Sequence, residues 1–289
     1  GMITAPLFRQ DIECFADIAE EVARFYGYDK IPTTLPTGEA TTGKLSFKLR
    51  VEEKARDIAE YCGFSQGMCY SFESPKVFDK LLIPADSPLR QTVTIANPLG
   101  EDFSVMRTIS LNGILTSLAS NYNRRNKNVR LYELGNIYIP RSLPVVDYPD
   151  ERMQFTLGMY GEGDFFTMKG VVEEFLESIG MKKKISYDPK AEKTFLHPGR
   201  QALIWYGDKV IGYLGEIHPE VADNYDIDAK VYVAVLDMPE ILPFASFDRK
   251  YEGIARFPAA VRLPLLLIAF MAFGMEAAIE IGHRIPFSH

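Results

Sequence analysis

Apolar residues recur at helical spacing in four stretches of the chain and alternate with polar ones in five others. In the first stretch, a helix running roughly from Asp11 to Tyr26 places Ile12, Phe15, Val22 and Tyr26 on one side, predicted to bury, and Gly27 stops it. The segment LSFKLRVEEKARDIAEYCG repeats Phe47, Val51, Ala55, Ile58 and Cys62 along one face, and Gly63 supplies a left-handed cap. Further helices are predicted from Arg107 to Tyr122, with Ile109, Ile114 and Leu118 on the buried side, and from Met168 to Gly180. Strands are predicted at Val129–Ile139, Met153–Gly161, Ala202–Gly207, Lys209–Ile217 and Val231–Met238, with β-like runs at Gly67–Phe72 and Val93–Asn97. Gly207-Asp208 between two of these strands marks a tight, exposed hairpin turn. Many hairpin-linked strands with few helices predict an α+β fold, an antiparallel sheet with helices on one face.

Between the first two helices, KIPTTLPTGEATTGK reads as a linker rich in proline, threonine and glycine. It divides the chain into residues 1–40, a core over 41–246, and a remainder over 247–289. At 289 residues the chain is long enough for one or two cores, and 47% hydrophobic with 25% charged residues excludes large-scale disorder. A formal net charge of −7 excludes nucleic-acid binding through a broadly positive surface, so any RNA contact must be local. Cys14, Cys62 and Cys69 form neither a CxxC pair nor zinc-ligand spacing, which predicts buried reduced thiols in a cytoplasmic protein. The apolar run Leu263–Met275 is too short for a membrane span, which needs about 20 residues.

Two clusters carry candidate chemistry. Asp17, Glu20 and Glu21 lie within about a third of the first helix's circumference, and Asp11 precedes it, where it can cap backbone N–H groups or reach a shared ligand. The set reads either as a solvated face ion-paired to Arg24 or as an oxygen-ligand magnesium site, and residue chemistry alone favours the ion pairs. Arg124, Arg125, Lys127 and Arg130 follow Tyr122 and Asn123 and are the best local candidate for contact with RNA or an acidic partner, against a merely solvated loop. His197 and His218 each precede a proline and are read as turn or cap residues rather than general bases. Phe165, Phe166, Phe175 and Trp205 are predicted to be core. No GxxxxGK[ST] or GxGxxG phosphate cradle occurs.

FRQDI followed by DIAEEVARFYGYDKIP resembles the end of the domain preceding the synthetase-like core in bacterial phenylalanyl-tRNA synthetase β subunits. The resemblance continues through ANPLGEDFSVMRT (Ala96–Thr108), YNRRNKNVRLYELGNIY (Tyr122–Tyr138), DFFTMKGVVEEFL (Asp164–Leu176), FLHPGRQA (Phe195–Ala202) and VIGYLGEIHPEV (Val210–Val221), a collinear run over roughly residues 6–262. It implies a class II aminoacyl-tRNA-synthetase-like antiparallel sheet flanked by helices. It also implies magnesium held by Asp11, Asp17, Glu20 and Glu21 at the contact with an α subunit, ATP used by that α subunit, and a heterotetramer of two α and two β chains acting on tRNA. The helix Arg107–Tyr122 is then a candidate for the subunit interface.

The chain departs from catalytic members of the class. Arg130 and Glu133 are separated by two residues where Arg-x-Glu has one, and GYLGEIHPEVADNY (Gly212–Tyr225) contains no arginine to clamp phosphate. The expected role is therefore a non-catalytic core that supports the α subunit. A free-standing interaction module derived from that subunit is the alternative, and a self-sufficient ligase is opposed by the missing arginines. Past Arg262 the resemblance stops, and a buried helix or an out-of-register segment is expected in place of the family's anticodon-binding domain.

Overall fold

The computed structural model describes residues 2–249 and Tyr251. The chain divides into two compact units, residues 1–46 and 47–289. The expectations for Leu263–Met275 lie outside the described residues.

The first unit is built on α1 (Phe15–Tyr26), which begins four residues later than the periodicity predicts. The carboxylate that caps it is Asp17, whose Oδ2 accepts the Glu13 and Cys14 N–H groups at 2.8 and 2.7 Å; Asp11 does not fill this role. Nor does its apolar side bury: Phe15 is 83% exposed and Val22 64%. Gly27 ends the helix at φ +104°, a conformation open to glycine at low cost.

The second unit opens with α2 (Phe47–Tyr61), closed by Gly63 at φ +82° as expected. Then come β1 (Ser65–Gln66), β2 (Phe72–Glu73), the short α3 (Val77–Lys80), β3 (Val105–Met106) and α4 (Leu111–Asn123). The run Val93–Asn97 forms only a single bridge, Thr94 to Val105, because its partner β3 is two residues long. The remainder is β4 (Val129–Ile139), β5 (Asp150–Tyr160), α5 (Phe165–Ser178), β6 (Ile185–Asp188), β7 (Leu196–Tyr206), β8 (Lys209–Ile217), α6 (Pro219–Asn224), β9 (Val231–Asp237) and α7 (Met238–Ile241). Asp164 starts α5 by accepting the Thr167 N–H at 2.8 Å.

Seven strands form one sheet in the order β1-β4-β5-β9-β8-β7-β6, antiparallel except for β1 beside β4. Helices cover both of its faces, where the sequence predicted one. The physical reason lies at the centre of the sheet, where Val231 to Leu236 of β9 are all buried, so neither side of that strand can face water. On one face Phe155, Leu157, Met159 and Leu236 pack with Val51 and Ala55 of α2 and with Val172 and Phe175 of α5. On the other, Ile114 and Leu118 of α4, Val221 of α6 and Phe78 of α3 pack around Tyr160 and Val233. Helix α4 sits so close that a Cβ on Gly158 would lie 2.5 Å from Ile114 Cγ2. The turn between β7 and β8 is Gly207-Asp208, with Gly207 at φ +64° and Tyr206 paired to Lys209.

Candidate functional site

The strands of the large sheet carry three arginines, Arg130, Arg152 and Arg200, and each is engaged by an acceptor inside the protein. Arg130 donates through Nη1 to the Cys62 carbonyl at 3.0 Å and lies over the Phe64 ring. Arg152 donates to Asp237 at 2.8 Å and Glu240 at 2.7 Å, and Arg200 donates to the buried Glu216 at 2.8 Å. Burial pushes the Asp237 carboxyl up while Arg152 pulls it down. Each guanidinium thus spends donors inside the protein, Arg152 on two carboxylates, Arg200 on one and Arg130 on a backbone carbonyl, which makes it a weaker clamp for an incoming phosphate.

Two further ionic features escaped the sequence reading. Arg107, 1% exposed, pairs with Glu133 of β4 at 3.0 Å and donates through Nε to the Asn136 carbonyl at 2.7 Å. Glu133 is thus the partner of Arg107, not of Arg130, and nothing in the local sequence marks a pairing across 26 residues. Glu73 of β2 is 4% exposed; its Oε1 accepts from Asn112 Nδ2 at 3.0 Å, and Asn112 Oδ1 accepts from Tyr225. Burial raises the Glu73 carboxyl to about 7, against the downward pull of Asn112 and Arg107.

In the first unit, Arg9 lies between the candidate metal ligands. Its Nη2 is 2.6 Å from Asp11 Oδ2 and 2.7 Å from Glu21 Oε1, and Arg24 also donates to Glu21. Hydrogen bonds from Arg9 hold both the Asp11 and the Glu21 carboxyls down at about 2. Asp17 is engaged by backbone N–H groups, and the Glu20 side chain makes no hydrogen bond or ion pair among the described residues. The donor set is of the hard-oxygen kind that suits magnesium. As placed it does not fit the ion, because a guanidinium takes two of the four carboxylates and no group of three or more potential ligands converges among the described residues.

The basic cluster splits in the same plain way. Arg124, Arg125 and Lys127 are exposed at the end of α4, with Arg125 at φ +63°, and make no ion pair or hydrogen bond through their side chains among the described residues. Arg130 is turned inward, as above. His197 Nδ1 accepts the Gly199 N–H at 3.1 Å and His218 Nδ1 accepts the Glu220 N–H at 3.2 Å, the turn and cap roles expected of them. Of the aromatic residues predicted to be core, Phe175 is buried but Phe166 is 73% exposed and, with Phe165, Tyr187, Arg200 and Tyr232, lines a cavity of about 590 Å³. Cys14 is exposed, whereas burial raises the Cys62 and Cys69 thiols. No helix among the described residues is long and apolar enough to cross a membrane.

A large antiparallel sheet with helices on both faces is the class II aminoacyl-tRNA synthetase architecture. A solved pyrrolysyl tRNA synthetase from Desulfitobacterium hafniense shares it at a TM-score of 0.54 over 67% of either chain, with 16% sequence identity. Within that class the sequence is specific. Residues 31–238 match the phenylalanyl tRNA synthetase beta chain CLM domain, and residues 2–28 match the tRNA synthetase B5 domain. The chain belongs to the phenylalanine–tRNA ligase β-subunit family. It is similar to the β subunits of Clostridium tetani, 44% identical over 92% of this chain, and Clostridium acetobutylicum, 45% over 90%. It spans 33% of the length of each.

Proposed function

We propose that this chain is the non-catalytic, synthetase-like core of a phenylalanine–tRNA ligase β subunit, bracing an α subunit that attaches phenylalanine to tRNA with ATP. The observation that carries this reading is the internal engagement of Arg130, Arg152 and Arg200. Adenylate formation needs cations aimed at developing phosphate charge. Freeing Arg152 or Arg200 would break a contact between neighbouring strands, and freeing Arg130 would break one between β4 and the end of α2. Between Gln201 and Asp248, a stretch that includes β8 and β9, the sequence contains no arginine.

The bracing role is supported by apolar surface in the second unit, where Met68 is 92% exposed, Tyr70 73% and Leu99 90%, more than an isolated surface favours. Residues 1–40 are proposed as the end of the preceding domain and 41–246 as the core. Asp11, Asp17, Glu20 and Glu21 are proposed as magnesium ligands only after Arg9 withdraws, and Arg124, Arg125 and Lys127 as the RNA-facing charges.

The test is co-expression with an α subunit from the same family, followed by purification and ATP–pyrophosphate exchange. The expected result is a stable complex and no exchange by the chain alone. Exchange by the lone chain would overturn the non-catalytic role, and failure to form a complex would overturn the brace.

A further inference from the structure

A second cavity, of about 450 Å³, opens beside β2 and α4, and its chemistry points to a particular visitor. Its walls include the aromatic residues Tyr70, Phe72 and Phe103, with Glu73, Asp102 and Asn112 supplying polar groups, and among the described residues the lining contains no lysine or arginine. Tyr70 and Phe103 meet edge to face, their centroids 5.9 Å apart. Glu73 Oε1 is taken by Asn112, but Oε2 is buried and has no hydrogen-bond partner among the described residues. A buried carboxyl oxygen left in this state is costly, and the cost is removed when a donor reaches it. The nearby Arg107 cannot serve, because it is held by Glu133 and the Asn136 carbonyl.

We propose that this cavity receives an arginine side chain from the companion subunit, its guanidinium donating to Glu73 Oε2 while its flat face lies against the Tyr70 ring. The choice of arginine follows from the walls. A planar, weakly hydrated cation with several donors stacks on aromatic faces and bonds a carboxylate at once, whereas an ammonium keeps its water more tightly. Phosphate-bearing partners are excluded by Glu73 and Asp102. The identity of the partner rests on the brace reading; the chemistry of the cavity does not.

The probe is Nα-acetyl-arginine amide titrated into the full chain and followed by NMR, with Nα-acetyl-citrulline amide as the neutral isostere. The arginine probe is expected to bind about tenfold or more tightly than the citrulline probe. Glu73→Gln, with its melting temperature recorded as a check on folding, should abolish that preference. Tyr70→Ala, at an exposed position, should weaken the arginine probe about threefold or more through the lost stacking. Equal binding of the two probes, or a preference that survives both substitutions, would overturn the proposal. A chain that captures the α subunit but ignores the arginine probe sinks this inference and leaves the brace standing. One that takes arginine but not the α subunit does the reverse.

Discussion

Arg107 and Glu133 form an ion pair at 3.0 Å with side chains only 1% and 4% exposed, joining the segment after β3 to strand β4 beneath the N-terminal end of α4. Neither charge can reach water if its partner is removed. Glu133→Ala is therefore expected to destabilise the chain by about 3–5 kcal/mol, the cost of leaving a buried guanidinium uncompensated. Replacing both, with Arg107→Met and Glu133→Leu, should recover much of that loss. Gly135→Ala tests the same contact sterically, because its added Cβ would lie 2.1 Å from Arg107 Nη2. Urea unfolding of the three variants measures all of this, and a Glu133→Ala chain as stable as the parent would contradict it.

Glu73 gives the fold a pH dependence whose sign follows from burial. Its carboxyl is raised to about 7 in the folded chain, far above the ordinary carboxylate range, so the folded state holds a proton that the unfolded state releases. The stabilisation is complete below the unfolded pKa and is lost as pH rises through about 7. Glu73→Gln cannot ionise and should escape that loss, which is worth at most about 3 kcal/mol. Melting temperatures of parent and variant should lie close together at pH 5 and separate by pH 8, with the variant higher. A constant difference across that range would show that Glu73 does not titrate there.

How much of this was legible beforehand depends on whether the signal is local. The long strands β4, β5 and β8 and helices α2 and α4 announced themselves because their apolar residues face one another over ten or so positions. β6 and the short helices α3, α6 and α7 did not, since four to six residues give no period to read. The two-faced covering of the sheet could have been read from VYVAVL, which has no polar position, but strand-like alternation elsewhere suggested one wet side. Among the candidate site residues, the spacing of Asp11, Asp17, Glu20 and Glu21 was plain, yet the chain's own cation among them, Arg9, lay outside the helix pattern and went unread. Arg107–Glu133 and Glu73–Asn112 depend on pairings 26 and 39 residues apart, which only the fold creates.

Arg9 sets the expected behaviour of the carboxylate cluster. While it holds Asp11 and Glu21, a divalent ion must displace a cation already making short hydrogen bonds to both. The lone chain should bind magnesium with a dissociation constant of about 1 mM or weaker, comparable with the loosest oxygen sites. Arg9→Ala leaves Asp11 without its counter-charge and Glu21 with Arg24 alone, and should tighten magnesium about tenfold. Calorimetric titration of both proteins decides the matter. Submillimolar binding by the parent, or no change on substitution, would show that Arg9 does not guard the cluster.

The loop after α4 and the start of β4 separate charges left exposed from one fastened into the fold. Arg124, Arg125 and Lys127 make no side-chain ion pair or hydrogen bond among the described residues, whereas Arg130 is fastened to the Cys62 carbonyl at 3.0 Å. If the first three meet phosphates, each releases counterions on binding, and their joint removal lowers the slope of log affinity against log salt by about 2. The measurement is tRNA binding by the complex with its α subunit over a series of salt concentrations, for Arg124→Ala with Arg125→Ala and Lys127→Ala combined. Arg130→Ala should leave that slope unchanged and lower the melting temperature instead, because it removes a contact between β4 and the end of α2. A triple variant with the parent's salt slope would assign the loop to solvent alone.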